Sequence, residues 1–240
     1  MPIAIACLGR KGGVGKTLTA SSVAALIAAR GQRTLLIDLD PQSNAAFVLG
    51  ADPAAAGTAE WLAGHEPCFQ SVNESLAVLA GGPSLLDYAI ARLDPDSLKR
   101  VMQEQSYEAF VLDCPPGNDQ LERLAIYAAD RAVVCTDAHP LAVMGASRVL
   151  TELQQRRSES RPGPQQWAIA VTRIDTRRSL DRQVSESLGK TYADTPLFVI
   201  RQDSGFALAA ADRLPITEAG DLRVRADLQA LTAWCFDGQN

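Results

Sequence analysis

Short apolar runs recur along the chain at Ile3–Leu8, Thr34–Ile37, Leu76–Ala80, Phe110–Leu112, Ala132–Cys135, Ala168–Val171 and Leu197–Ile200. Most are continuous rather than alternating, as strands buried on both faces should be. Helical spacing fills the stretches between them: Thr17–Arg30, stopped by Gly31, then Asp119–Ala129, Leu141–Gln155 and about Ser179–Tyr192. A last helix is predicted where Val224, Leu228, Leu231 and Cys235 fall on one face. Strands alternating with helices predict an α/β fold with a doubly wound, mostly parallel sheet. Two stretches read as loops. Gln154–Pro164 is polar and helix-breaking, and residues 51–75 mix Gly, Pro and Ala around a short helix near Thr58–Leu62. Neither is long enough to divide the chain, so residues 1–240 are expected to form a single domain.

The first apolar run leads into Arg10-Lys11-Gly12-Gly13-Val14-Gly15-Lys16-Thr17, which opens an alanine-rich helix. That strand–loop–helix context is what a phosphate-binding loop needs. Glycines let backbone N–H groups turn around phosphates, and the helix N-terminus adds partial positive charge. Lys16 is placed to reach the β- and γ-phosphates, and the Thr17 hydroxyl to ligate Mg²⁺. The strict G-x4-G-K-[ST] pattern fails at its first glycine, where Arg10 stands, and a second lysine, Lys11, lies inside the loop. The nucleotide segment is therefore Lys11, Gly12, Gly13, Val14, Gly15, Lys16, Thr17 and Leu18, with ATP and Mg²⁺ as the expected cofactors.

Two acidic stretches follow in the order such a site requires. Asp38-Leu39-Asp40-Pro41-Gln42-Ser43-Asn44 places two carboxylates at a strand's C-terminal end, where open α/β sheets bind ligands. Either Asp38 or Asp40 can join the Mg²⁺ shell or orient an attacking water. Phe110-Val111-Leu112-Asp113-Cys114-Pro115-Pro116-Gly117 is an apolar strand ending in an acid, with Asp113 expected near Mg²⁺. Pro115 and Pro116 stiffen the next loop, and Gly117 can bring its N–H close to a γ-phosphate.

Together these residues resemble a known group. Residues 11–17 match the deviant Walker A motif K-G-G-x-[GS]-K-[TS] of the ParA/MinD/NifH group, and D-x-D-P-Q-x-N resembles switch I of ParA-type partition ATPases. The D-C-P-P stretch is similar to switch II in the same relatives. The resemblance runs from Ile3 to about Glu218. It implies that Asp40 is the hydrolysis-critical acid, that Asp38 supports the metal shell, and that Lys11 crosses a dimer interface to the partner's nucleotide. It places Thr172, Arg173 and Arg201 beside the adenine, although structural use of these residues is an equal alternative. It implies an ATP-sandwich homodimer that binds DNA non-specifically through Arg177, Arg178 and Arg182. It also implies a cargo-linked ParB-like or adaptor protein that stimulates hydrolysis. The alternative is a metabolic P-loop enzyme that transfers phosphate or uses ATP for ligation.

Charge and cysteine content adjust this picture. The net charge of −5 disfavours nucleic acid, yet residues 148–182 hold eight arginines against four acids, which predicts a local basic face. The five cysteines form no C-x-x-C pair, and Cys7, Cys114 and Cys135 read as small core residues. No basic leader or apolar run of membrane-spanning length is seen, and no basic residue follows Arg225, so a membrane helix of the MinD type is not expected. With a first strand at residue 3, an amino-terminal DNA-reading domain is not expected. The expected location is the cytoplasm, on the nucleoid when ATP is bound.

Overall fold

All seven apolar runs become strands of one sheet. The computed structural model describes residues 2–212 and 220–237, so Glu218, where the resemblance ends, lies outside the described residues. The strands are β1 (Ile3–Leu8), β2 (Thr34–Asp38), β3 (Gln70–Ser71), β4 (Leu76–Leu79), β5 (Ala109–Asp113), β6 (Arg131–Thr136), β7 (Gln166–Ile174) and β8 (Leu197–Arg201). They form an eight-stranded sheet in the order β3-β4-β2-β5-β1-β6-β7-β8. Every pairing is parallel except that of the two-residue edge strand β3 with β4. The helices are α1 (Lys16–Ala28), α2 (Asn44–Val48), α3 (Thr58–Leu62), α4 (Tyr88–Ala91), α5 (Ser97–Gln103), α6 (Asp119–Ala128), α7 (Pro140–Ser158), α8 (Ser179–Thr191), α9 (Gly205–Asp212) and α10 (Leu222–Asp237).

The continuous apolar runs are explained by a core on each face of the sheet. On one face Leu8, Leu35, Ile37, Leu112 and Val134 pack with Leu121, Leu124, Val149 and Leu150 of α6 and α7. On the other, Ile5, Cys7, Leu36, Val111 and Val133 pack with Val23 and Ile27 of α1 and Leu228 and Leu231 of α10. A strand between two such layers has no solvent side, so alternation disappears. Helix α1 packs on the sheet and against α10 and is buried on most of its surface, which its alanines permit by allowing close approach. The predicted last-helix face holds, with Val224, Leu228, Leu231 and Cys235 all buried. Cys7, Cys114 and Cys135 are likewise core residues.

The Gln154–Pro164 loop needs correction, because α7 continues through Ser158. Leu153 and Arg156 are buried there; Arg156 lies over the Tyr127 ring and pairs with Glu152 at 3.0 Å. Those contacts hold helical a segment whose composition alone suggests a turn. No pattern in the 81–108 stretch predicts α5, which forms by burying Leu98 and Met102. Among the described residues, no helix is long and apolar enough to cross a membrane.

Candidate functional site

The C-terminal ends of β1, β2, β5 and β7 converge on the loop between β1 and α1. At its helix end Gly15 has φ 78°, and a Cβ there would stand 3.2 Å from the Thr172 hydroxyl, so the position admits glycine best. Thr172, at the end of β7, holds the loop from below: its hydroxyl donates to the Val14 carbonyl at 2.7 Å and reaches the Thr136 carbonyl at 3.1 Å. Lys16 is buried and folds back to donate to the Lys11 carbonyl at 3.1 Å. The second lysine points elsewhere; Lys11 Nζ lies 3.4 Å from Asp137, with both side chains partly open to solvent. Arg10, where the strict motif has glycine, bridges Glu122 of α6 at 3.1 Å and Glu152 of α7 at 2.9 Å. The substitution at the first glycine therefore ties the loop to two helices.

The three acids have distinct environments. Asp38 is fully buried and acts on the backbone: its two oxygens accept from Asp40 N–H and Ala45 N–H, each at 2.8 Å. Burial pushes its carboxyl up to about 7, against the pull of those hydrogen bonds. Asp113 is also fully buried, and neither of its oxygens has a hydrogen-bond partner among the described residues. Burial, reinforced by Asp38, drives this carboxyl well above the usual range, while Thr17 and Lys16 oppose the rise. Asp40 is at the edge of burial, and its Oδ1 accepts from Gln42 N–H at 2.9 Å. A buried carboxylate with no partner, near a hydroxyl, offers the oxygen ligands a hydrated Mg²⁺ would satisfy.

In front of the loop lies a cavity of about 800 Å³, lined by Gly12, Gly13, Gly15, Lys16, Thr17 and Leu18 on one side. Asp40, Gln42 and Pro116 close one end, and Thr172, Arg173, Ile200, Arg201 and Phe206 line the other. The volume is that of a site for a nucleotide-sized ligand. Arg173 takes a left-handed φ of 58° and donates to the Gly13 carbonyl at 2.9 Å. Arg201 pairs with Asp227 of α10 at 2.9 Å. Both guanidiniums and the Thr172 hydroxyl thus already have protein partners while lining the cavity. Pro115 is buried, Pro116 and Gly117 are exposed, and Gly117 takes φ 68° just before Asn118 caps α6.

The expected basic face is smaller than composition suggests. Of the eight arginines in residues 148–182, Arg156 is buried, Arg157 lies over the Trp167 ring and Arg173 belongs to the cavity. Arg177 and Arg178 are exposed, yet they share one acid, at 2.9 and 3.8 Å from Asp175. The hydrogen bond from Arg177 holds that carboxyl down at about 2. Arg182 is exposed and donates to the Thr176 carbonyl at 2.9 Å. The three candidate DNA contacts do form one cluster, at the start of α8.

Comparison with known proteins fits this geometry. The family model described as "AAA domain" matches residues 3–163. The chromosome-partitioning ATPase Soj of Thermus thermophilus is 33% identical over 199 residues, covering 82% of this chain and 79% of that one. The chain belongs to the ParA/Soj family of ATPases. An ATP complex of a McdA variant from Cyanothece superposes with TM-score 0.85 at 19% identity, over 98% of this chain and 96% of that one. Cobyrinic acid a,c-diamide synthase of Mycobacterium smegmatis, with bound ADP and magnesium, gives TM-score 0.80 at 24% identity, over 100% and 97%. At such identities these two structures show a shared fold. As a ParA/Soj-family member the chain is an ATP hydrolase.

Three features of this ParA/Soj-family site escape a reading of the sequence. Asp137 as the counter-ion of Lys11, the two glutamates on Arg10, and the packing behind Asp40 all join segments far apart in sequence. The one local signal is Arg10 itself, a bulky cation where a glycine belongs.

Proposed function

We propose that this chain is a single-domain, ParA-like partition ATPase. On this reading it forms an ATP-sandwich homodimer in the cytoplasm, binds nucleoid DNA without sequence preference in that state, and positions a cargo. The observation that carries the reading is the meeting of Lys16, Thr17 and Asp40 on the cavity wall with the buried, unpartnered Asp113 behind them. Bound with Mg²⁺, ATP supplies the phosphoanhydride whose terminal phosphoryl group passes to water. Lys16 leaves the Lys11 carbonyl to neutralise the β- and γ-phosphates, and the N–H groups of Gly12 to Thr17 surround them. Thr17 and Asp113 would hold Mg²⁺, which would supply charge neutralisation at the phosphates, with Asp38 fixing the Asp40 loop beside them. Asp40 accepts a hydrogen bond from the attacking water and so aims its lone pair. Pro115, Pro116 and Gly117 carry the state of the γ-position into α6. Leu18, Arg173 and Arg201 border the base, and Thr172 supports the loop beneath it.

Lys11 serves the partner protomer. Its pairing with Asp137 is partly exposed, and such pairs contribute about 0–1 kcal/mol. It can therefore leave that acid at small cost and stabilise charge on the second nucleotide. Arg177, Arg178 and Arg182 would contact DNA phosphates, doubled by dimerisation, and a ParB-like or adaptor protein would stimulate hydrolysis. No membrane partner is invoked.

Light scattering in Mg²⁺·ATP, paired with binding of a fluorescent ATP analogue, tests this. Wild type should dimerise, Lys16→Ala should fail to bind nucleotide, and Lys11→Ala should bind nucleotide yet remain monomeric. Equal loss of nucleotide affinity in both variants refutes the assigned roles. The alternative, a metabolic P-loop enzyme, shares its fold with the diamide synthase. It predicts turnover driven by a small-molecule acceptor rather than by DNA and a partner protein.

A further inference from the structure

The acid proposed to orient water is braced by a part of the chain outside all three nucleotide motifs. Beyond β4 the chain runs through Ala80, Gly81 and Gly82, and this turn packs directly on the main chain of Asp40. A Cβ built on Gly81 would fall 2.0 Å from the Asp40 carbonyl oxygen and 3.2 Å from Asp38 Oδ1. No side chain fits there unless the Asp40 peptide moves. The same carbonyl accepts from Ser43 N–H at 2.9 Å and Gly82 N–H at 3.3 Å. Ser43 closes the brace: it is buried, takes a left-handed φ of 52°, and its Oγ accepts from Gly81 N–H at 3.1 Å. A non-glycine residue in that conformation carries strain, which persists only where surrounding contacts hold it. The turn is itself backed by α3, since Thr58 N–H donates to the Ala80 carbonyl at 2.8 Å.

We propose that Gly81 and Ser43 are positioning residues for Asp40, locking its peptide so that the carboxylate keeps a fixed place on the cavity wall. This rests on the reading of Asp40 as the water-orienting acid. Neither residue lines the cavity. Their effect passes through the Asp40 main chain, from which the hydrogen bond between Asp40 Oδ1 and Gln42 N–H then sets the side chain. A bulkier residue at 81 pushes Asp40 away while leaving the phosphate loop, which it does not touch, intact.

The test is a mutant cycle on the full chain, with single-turnover hydrolysis of Mg²⁺·ATP and affinity for a fluorescent ATP analogue measured for each variant. Gly81→Ala should slow hydrolysis at least about tenfold, because a displacement of about 1 Å at a reacting group costs up to a hundredfold. Its nucleotide affinity should stay within about threefold of wild type, the pattern of an interaction made only in the transition state. Ser43→Gly accepts the same backbone angle and loses the hydroxymethyl group with its one hydrogen bond from Gly81 N–H, so it should slow hydrolysis about threefold, within the worth of one neutral hydrogen bond. In an Asp40→Asn background neither change should slow the reaction further. Should Gly81→Ala fail to fold, Ser43→Gly carries the same comparison. Asp40→Asn hydrolysing at the wild-type rate refutes the role of Asp40 itself. If Asp40→Asn is slow but Gly81→Ala and Ser43→Gly turn over normally, the positioning role alone is overturned. Nucleotide affinity falling in step with rate, or full additivity in the Asp40→Asn background, overturns it equally.

Discussion

Replacing Asp113 by asparagine should make the nucleotide-free protein less sensitive to pH. Asp113 is fully buried and its oxygens have no partner, so the amide forfeits no hydrogen bond. Asp38, by contrast, would lose one of the two backbone bonds it accepts. Both carboxyls are raised by burial, Asp38 from 3.8 to about 7 and Asp113 well above its usual range. Between about pH 5 and 6.5 the unfolded chain has therefore released protons that the folded chain keeps. The folded state binds more protons, so stability must fall as pH rises through that window. Each retained proton contributes up to about 1.4 kcal/mol per pH unit, giving a wild-type slope of up to about 2.8 kcal/mol per pH unit for the pair. Asp113→Asn removes one titrating group, and the slope should drop by up to about 1.4 kcal/mol per pH unit. Urea unfolding across the window, without nucleotide or metal, measures both. Repeating it with Mg²⁺·ADP should flatten the wild-type slope, because a bound cation favours the ionised acids. A wild-type stability that is level or rising between about pH 5 and 6.5 would refute the reasoning.

Asp40→Ala should retain Mg²⁺·ATP and accumulate as a dimer, since the phosphate cradle is untouched while water loses its orienting acceptor; a monomer unable to hold ATP by light scattering contradicts this. For DNA, Arg177→Ala with Arg178→Ala should weaken binding alike on all sequences and lower the salt slope by about 0.9 for each phosphate no longer neutralised. Indifference of the wild-type ATP dimer to DNA at about 50 mM salt, where such contacts are strongest, would end the nucleoid reading. Arg10→Ala leaves Glu122, whose side chain is only 4% exposed, without its cation. Removing that charge-assisted hydrogen bond should cost about 1.5–3 kcal/mol, read as a lower Tm in nucleotide-free protein. An unchanged Tm would mean the bridge to α6 and α7 contributes nothing.

What was legible in the sequence was what neighbouring residues encode. The phosphate loop is contiguous from Lys11 to Thr17, and its glycines and lysine announce their use through local backbone geometry. The continuous apolar runs likewise named the seven long strands, because burial on both faces leaves a signature within each strand. Tertiary structure decided whatever depends on distant partners. The sheet order sets β1 between β5 and β6, and so brings Asp113 beneath Thr17. Thr172 binds Val14 across 158 residues, and Arg10 reaches Glu122 across 112. Arg156, one of a basic run by composition, becomes a buried side chain of α7 once Tyr127 and Glu152 surround it. Arg177 and Arg178 stay exposed but share Asp175. Gly81 reads as an ordinary turn glycine until the fold sets the Asp40 carbonyl against its Cα. Composition counts charges and glycines but does not say which are covered or approached, since burial and close approach are properties of the packed chain.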